Sequence, residues 1–400
     1  GEKWIGVEIG PGLFVIDALV RCYCVTGNTI ALEAAGRIIE HYFFSSDALF
    51  RDDGAFIFPG DVEPQVALEK QTIDYVPSLG HFHTRSCGAV GLARYGVVTK
   101  DERCLGLARR IHNHMMSYGT SFGWFPENLF TDGREVSELC DTLDMIELQL
   151  LLAGTGHTDL YDNAERFAKN HVAACQCVPD DLVLESVRET KGLVDNTGQR
   201  RYTDVIDALA GGFVCVTYPD DVYTAYPGSR FDPDPSYLID ISGCCSGSGA
   251  KAAYVAWDHA VVEEKGAVRI NFALNRRHTA VDVRCEEDEV FRMILHPRVD
   301  KPILFRIPEA VGPQQVKVGS REGSVSYQPV GEYIRIEPNG CKELVLEFPL
   351  ISREEVCRVA GLDYRVRWSG SRVLSVDRAD RTRPLRNPYR EWFGFERSIA

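Results

Sequence analysis

The sequence lacks three features that would place it in a common functional class. No apolar run reaches the roughly 18 residues that a membrane-spanning helix needs, so no membrane span is expected. Basic residues are in deficit, and the net charge of −14 argues against binding to nucleic acid or to anionic membrane surfaces. No signal peptide is visible. Neutral or cationic ligands therefore suit this chain better than polyanions.

The cysteines also lack a familiar arrangement. There are thirteen of them, but no Cys-x-x-Cys pair of the kind that marks many zinc sites. Their odd number and irregular spacing predict reduced thiols and a cytoplasmic protein rather than a secreted disulfide framework. With 400 residues, of which 44% are hydrophobic and 26% charged, the chain has the size and composition of a globular protein with two domains.

The first part of the chain repeats a helical hairpin. Each copy contains a helix that ends near a threonine, a polar turn, and a second helix that carries Ala-x-Arg. The repeated residues are Leu19, Arg21, Thr26, Leu32, Ala35, Arg37, Ile38 and His41, then Leu92, Arg94, Thr99, Leu105, Ala108, Arg110, Ile111 and His114, then Thr155, Tyr161, Ala164 and Arg166. Such hairpins bury their apolar faces against one another. We predict an (α/α) toroid domain over residues 1–264, either incomplete or completed by a second copy or a partner.

The second part changes to strands. Apolar residues alternate with period two in residues 268–274, 280–284, 316–318, 333–337 and 344–348. Asn339-Gly340 is a hairpin signal before the last of these segments. The spacing predicts an antiparallel β-sandwich domain over residues 265–400, ending in an Arg- and aromatic-rich tail. The predicted fold class is therefore α+β.

Two segments carry residues suited to a metal. Glu138 and Cys140 are two apart, so both can reach one ion only if they lie just before a helix begins. Cys244 and Cys245 are adjacent among glycines, and adjacent cysteines rarely form an unstrained disulfide. One carboxylate and three thiolates would complete a tetrahedral zinc shell. The plainer alternative is that these cysteines are small buried hydrophobic residues.

Other candidates have equally plain alternatives. Cys175 and Cys177 are a rival ligand pair, although their place late in a helix favours the core. Glu127 follows Trp-Phe-Pro, and a carboxyl group beside aromatic rings has the raised pKa of a general acid. Most glutamates in loops are simply solvated.

Three more side chains could bind a sugar. His81 and His83 precede the second hairpin, where a neutral imidazole could hydrogen-bond a sugar or ligate a metal, or could cap the helix. Trp124 could stack on a sugar ring. These residues form the predicted substrate-binding set.

The motifs together resemble a known family. Gly-Trp-Phe-Pro-Glu at 123–127, Ser-Glu-Leu-Cys-Asp at 137–141 and Gly-Cys-Cys-Ser-Gly-Ser-Gly at 243–249 are similar to the β-L-arabinofuranosidases of glycoside hydrolase family 127. The resemblance covers about residues 12 to 350 and implies the same order of toroid and sandwich. It implies zinc on Glu138, Cys140, Cys244 and Cys245, with Cys244 as nucleophile. It also implies Glu127 as acid/base and His81 on the sugar.

The sequence thus predicts a zinc-dependent retaining glycoside hydrolase that releases a β-L-arabinofuranose-like or related sugar from a carbohydrate substrate. The alternative is a non-catalytic carbohydrate-binding or scaffold protein with structural zinc. A sugar epimerase would instead need histidines, not cysteines, at the centre of the pocket.

Overall fold

The computed structural model describes residues 5–45, 48–57, 80–129, 136–177, 210–220, 241 and 243–378. Residues 58–79, 178–209 and 221–240, and the predicted tail beyond Arg378, lie outside these residues. The described helices are α1 Ile5–Thr26, α2 Thr29–Ile39, α3 Phe82–Thr99, α4 Glu102–Met116, α5 Leu139–Ala153, α6 Leu160–Phe167, the single turn α7 Ala173–Cys175, and α8 Gly243–Ala260. Among them, none is long and apolar enough to cross a bilayer.

The predicted hairpins are confirmed as local structure. α1 and α3 end at the matched threonines, and each next helix begins after a capping residue. The Asn28 side chain accepts the Ile30 N–H (3.0 Å), and Asp101 accepts the N–H groups of Arg103 (2.9 Å) and Cys104 (3.2 Å). These caps satisfy backbone donors that the helix leaves unpaired, which is why the polar turns stop one helix and start the next.

The first helices of the hairpins lie side by side. α1 packs on α3, α3 on α5, and α5 on α8, while α2, α4 and α6 each pack on the first helix of their own hairpin. Glu147 of α5 ties this row together, because its carboxylate meets Arg21 of α1 (2.8 Å), Arg94 of α3 (3.5 Å) and Lys251 of α8 (2.6 Å). Because α5 packs against α3, α6 and α8, it is buried along almost its whole length.

Strands replace helices from Val261 onward. The described strands are β1 Ser137–Glu138, β2 Val216–Thr217, β3 Val261–Glu263, β4 Val268–Ile270, β5 Val281–Glu287, β6 Val290–Pro297, β7 Ile303–Arg306, β8 Lys317–Gly319, β9 Ser326–Val330, β10 Tyr333–Glu337, β11 Leu344–Pro349, β12 Ser352–Val359, β13 Leu362–Ser369 and β14 Arg372–Arg378. They form sheets in the orders β1-β2, β3-β4-β7-β10-β9, β5-β6-β11-β8 and β12-β13-β14.

The five-stranded and four-stranded sheets bury their inner faces in one hydrophobic cluster. Ile270 and Phe305 enter it from one sheet, and Met293 and Leu346 enter it from the other. The predicted antiparallel pairing is confirmed for these sheets with one exception, since β4 and β7 run parallel. The alternating pattern therefore located the strands but not the direction of every pair.

The hairpin predicted at Asn339-Gly340 is wrong. Both residues have positive φ (49° and 79°), as the signal requires, but β10 pairs with β7 and β9 whereas β11 pairs with β6 and β8. The turn therefore carries the chain from one sheet to the other. A two-residue hairpin occurs instead at Ala360-Gly361, which joins β12 to β13.

The three-stranded sheet packs on the helices. Tyr364, Val366 and Trp368 of β13 are buried in the same hydrophobic cluster as the helical core. The Asn170 side chain fastens this sheet by accepting the Val373 N–H (2.8 Å) and donating to the Ser371 carbonyl (2.9 Å). Residues 352–378 thus complete the helical core, and the division of the chain into domains at 264 stays a prediction.

Candidate metal and active site

Two helix starts bring the motif residues together. Glu138 ends β1 in an extended conformation (φ −106°, ψ 139°) and directly precedes α5, in which Cys140 is the second residue. Cys244 and Cys245 are the second and third residues of α8. The change from strand to helix that Glu138 and Cys140 need is therefore present. The cysteine pair lies inside the first turn of its helix.

The sulfur atoms lie at distances that suit one metal ion. Cys245 Sγ is 3.3 Å from Cys140 Sγ and 3.8 Å from Cys244 Sγ. Thiolates bound tetrahedrally to zinc at about 2.3 Å lie roughly 3.8 Å apart. Ser248 Oγ also donates to Cys140 Sγ (3.3 Å). All thirteen cysteines are free thiols, so these sulfurs are available as ligands.

A residue that the sequence did not single out joins the cluster. Cys140, Cys244 and Cys245 form one group whose ligand atoms lie within 4.8 Å of one another, and Glu138, Cys215 and Cys245 form a second. Cys245 belongs to both. The rival pair at 175 and 177 is fully buried in the core, outside both groups.

Strand pairing explains the place of Cys215. β1 and β2 pair antiparallel, with Ser137 opposite Thr217, and the Leu139 N–H donates to the Cys215 carbonyl (3.3 Å). A short apolar run at 213–217 was the local sequence signal for β2. Its pairing with residues about eighty positions earlier had no local signal.

Close packing fixes α8 against this strand pair. A Cβ atom at Gly249 would lie 2.3 Å from Phe213 Cγ and 2.6 Å from Leu139 Cδ2. The glycine therefore permits a helix approach that a larger residue would block. This approach sets the spacing between the cysteines of α8, Cys140 of α5, and Cys215, which directly precedes β2.

Trp124 supports the strand pair from inside the core. Its ring is completely buried, and Nε1 donates to the Thr217 carbonyl (3.2 Å). A ring without exposed surface does not offer a face to a sugar. In this structure Trp124 holds β2 in place, which differs from the stacking role expected from the sequence.

The cluster concentrates acidic groups in a place that favours a cation. A hydrogen bond from Cys245 lowers the pKa of Cys140 to about 7, whereas partial burial and the neighbouring Cys140 raise the pKa of Cys244 to about 11. Burial and Glu138 raise the pKa of Asp141 well above its usual value, and Asp141 Oδ1 has no hydrogen-bond partner among the residues that the structure describes. A soft divalent ion would offset this charge, and thiolates with one carboxylate suit zinc.

Both predicted histidines contact acidic residues. His81 Nε2 lies 3.1 Å from Glu138 Oε2, and its Nδ1 lies 3.0 Å from Thr84 Oγ1. His83 Nδ1 lies 2.6 Å from Asp144 Oδ2. Burial opposes a charged imidazole at His83, but the Asp144 carboxylate outweighs it and raises the pKa of His83 to about 9. His81, through its contact with Glu138 Oε2, is placed to orient the Glu138 carboxylate.

The backbone places Glu127 beside these residues. Its carbonyl accepts the Phe82 N–H (2.9 Å), and its N–H donates to the Val136 carbonyl (2.8 Å). Glu127 thus lies between the segment that carries His81 and the segment that carries Glu138. Its side chain is half-buried.

Comparisons with known proteins identify the fold. No protein-family model and no curated protein sequence matches the chain. A solved structure described as a glycoside hydrolase aligns with a TM-score of 0.55 at 13% identity, covering 90% of this chain and 59% of its own. A GH127 β-arabinofuranosidase aligns with a TM-score of 0.51 at 13% identity, covering 90% and 55%. A GH127 β-L-arabinofuranosidase from Geobacillus stearothermophilus T6 gives 0.49 at 13% identity, covering 93% and 68%.

The two structures with TM-scores above 0.5 show a shared fold. The described part of this chain is therefore built like a glycoside hydrolase of the GH127 type, although it spans only 59% and 55% of those two chains.

Proposed function

We propose that this chain is a zinc-dependent retaining glycoside hydrolase that releases a β-linked L-arabinofuranose-like or related sugar from a carbohydrate. The observation that carries the proposal is the convergence of Cys140, Cys244 and Cys245 at two helix starts, with Glu138 beside them. Among the three cysteines, Cys244 alone is exposed. The cluster thus offers buried sulfurs for holding an ion and one accessible sulfur for chemistry.

The proposed zinc ligands are Glu138, Cys140, Cys244 and Cys245. Bound zinc supplies a positive charge that favours the thiolate of Cys244, whose pKa is otherwise raised to about 11. The N-terminus of α8 adds to this effect, because its free N–H groups favour a negative charge nearby. His81, which contacts the Glu138 carboxylate, holds that ligand in position.

The chemistry on this chain would be a double displacement. The Cys244 sulfur attacks the anomeric carbon and forms a carbon–sulfur bond while the carbon–oxygen bond to the leaving group breaks. The Glu127 carboxylic acid gives its proton to the departing oxygen. Water then attacks the same carbon and gives a proton to the Glu127 carboxylate, which releases the sugar and the Cys244 thiolate. Two inversions give net retention, as in retaining glycosidases with two carboxylates.

The row of α1, α3, α5 and α8 would be part of an (α/α) toroid whose centre holds the sugar. The site lies where α5 and α8, two neighbouring helices of this row, begin. We propose that a second copy of the chain or a partner completes the ring.

The test is release of p-nitrophenol from p-nitrophenyl β-L-arabinofuranoside by the zinc-loaded, reduced protein. Cys244→Ser and Glu127→Gln should each abolish release while circular dichroism stays unchanged. Cys22→Ser, which alters an exposed cysteine of α1, is the matched control and should keep full activity. Full activity of the Cys244→Ser protein would refute the nucleophile and with it the proposed mechanism.

A second candidate is a carbohydrate-binding or scaffold protein in which zinc is structural. The group of Glu138, Cys215 and Cys245 favours it, because all three donors are buried and lie within 4.8 Å of one another, so they can hold an ion without any exposed residue. This candidate predicts stoichiometric zinc and sugar binding, with no product from any pentoside tested.

A further inference from the structure

Three cations of the helical row meet at two carboxylates. Arg21 Nε lies 2.6 Å from Asp17 Oδ2, and Arg94 Nε contacts the other oxygen of that carboxylate, Oδ1. Glu147 Oε1 meets Arg21 (2.8 Å), and its Oε2 meets Lys251 (2.6 Å). Arg94 Nη2 also reaches Glu147 Oε1 (3.5 Å). The charged ends of five side chains from four helices therefore lie together.

This cluster holds more positive than negative charge. Burial favours the neutral form of Asp17, but Arg94 and Arg21 outweigh it and lower the pKa of Asp17, which is therefore a carboxylate at neutral pH. Two carboxylates thus face three cations. The whole chain has a net charge of −14, so the local sign is opposite to the overall one. Charges further away than about 8 Å are largely screened at physiological salt, so a small anion responds mainly to the local excess.

Two of the cations keep hydrogen-bond donors on an accessible side. The side chains of Arg21 and Lys251 are 44% and 41% exposed, whereas that of Glu147 is 5% exposed. An ammonium group has three N–H bonds and a guanidinium group has five, more than the contacts above require. Because Arg21 and Lys251 bind the two oxygens of one carboxylate, their remaining donors lie close to each other. A second carboxylate can accept hydrogen bonds from both.

The cluster lies on the same side of its helices as the candidate nucleophile. Cys140 and Glu147 are two turns apart on one face of α5, and Cys244 and Lys251 are two turns apart on one face of α8. At 1.5 Å per residue, each pair is separated by about 10 Å along the helix axis. Cys244 is exposed, as Lys251 partly is, so one ligand can reach both. That separation exceeds the width of a single sugar ring.

We propose that Arg21 and Lys251 bind the carboxylate of an acidic sugar unit in the substrate, with Arg94 supplying the excess positive charge. This inference rests on the proposed glycoside hydrolase function and narrows its substrate to saccharides that carry such a group. The acidic unit is a neighbour of the sugar that reacts at Cys244, because the two positions are too far apart for one ring.

The experiment compares the binding of D-galacturonate with that of D-galactose, its neutral counterpart, to the full, reduced, zinc-loaded chain. Affinities are measured by ligand-observed NMR titration at low salt. Lys251→Gln and Arg21→Gln should each weaken galacturonate binding roughly 5-fold, the upper end for one exposed charged contact, and should leave galactose binding unchanged. Lys251→Arg should keep the preference for galacturonate. Arg103→Gln is the matched control, because Arg103 pairs with Glu40 on the second helices of the hairpins and both side chains are 56% exposed.

The inference is overturned if galacturonate binds no more tightly than galactose, or if the Lys251→Gln and Arg21→Gln proteins bind it as the parent does. Inorganic sulfate is the third ligand. Sulfate binding that depends on Lys251 and equals galacturonate binding would show a general anion site and would overturn the assignment to a sugar acid.

The outcome is separable from that of the proposed function. Galacturonate has no glycosidic bond to break, so its binding does not depend on turnover. Hydrolysis of a neutral pentoside by a protein without preference for galacturonate would count against the acidic-sugar site alone. A preference for galacturonate in a protein that hydrolyses no glycoside would count against the proposed function and not against the binding of the acidic sugar.

Discussion

A buried ion-pair network joins the helices to the five-stranded sheet, and its stability contribution can be tested with one isosteric change. Glu165 of α6 meets Arg306 of β7 and Lys169, both at 2.8 Å, and accepts the Ala273 N–H (3.3 Å). Arg306 also meets Asp162 (2.6 Å). The two cations and two carboxylates balance in charge. Glu165→Gln removes one of the two carboxylates that Arg306 meets, and it removes the carboxylate that Lys169 meets at 2.8 Å.

The expected loss in the free energy of unfolding is about 3–5 kcal/mol, the usual cost of removing one partner from a buried pair. The side chains of Glu165 and Arg306 are 5% and 2% exposed, so solvent screens them little. Burial raises the pKa of Glu165, but Lys169 and Arg306 outweigh it and lower that pKa below 4.5. The stabilisation is therefore present above pH 4.5 and is lost as the pH falls through the lowered value.

The assay is urea unfolding followed by circular dichroism, for the parent and variant at pH 7 and at decreasing pH. The difference between the two proteins should be largest at pH 7 and should shrink in acid. Glu309→Gln is the matched control, because Glu309 pairs with Arg166 (3.1 Å) while its side chain is 71% exposed. That change should cost no more than about 1 kcal/mol. A Glu165→Gln protein as stable as the control variant would refute the reasoning.

Two further predictions concern the candidate site. Gly249→Ala should destabilise the protein by about 1–3 kcal/mol in urea unfolding, because the new methyl group meets Phe213 and Leu139 at less than 3 Å, and it should weaken zinc binding measured by chelator competition. His83→Gln should lower the free energy of unfolding most below pH 6.5, by up to about 3 kcal/mol, and progressively less as the pH rises through about 9. The reason is that the raised pKa of His83 makes its pairing with Asp144 a stabilising contact of the charged form. The His83 prediction is contradicted if the difference in unfolding free energy between parent and variant is the same at pH 6 as at pH 10.

Local patterns in the sequence predicted the local structure. The spacing of apolar residues gave the hairpins, and the threonine and cap positions gave their ends at Thr26 and Thr99. The motif at 137–141 predicted a strand-to-helix change, which the extended Glu138 before α5 confirms. These features depend on neighbours within a few residues, and that is the range over which a pattern carries information.

Non-local contacts were beyond such patterns. Cys215 reaches the site only because β2 pairs with β1, and nothing in its own segment specifies that partner. The turn at Asn339-Gly340 has the local conformation of a hairpin, yet the strands that it joins prefer other partners. Trp124 was expected to stack on a sugar. Its ring is instead buried against Thr217, and this contact depends on the pairing of β1 with β2, which the sequence pattern did not predict. Each difference arises from tertiary pairing rather than from local preference.

The attachment of the three-stranded sheet to the helices sets an order for folding during synthesis. The helical core contains Tyr364, Val366 and Trp368, which are made about a hundred residues after α8 ends. A nascent chain that has completed α8 still exposes the apolar surface that these side chains will cover. That surface stays uncovered until residues 352–378 leave the ribosome, and exposed apolar surface of this kind favours aggregation. Sequence changes that slow the last strands would be felt first in the helices.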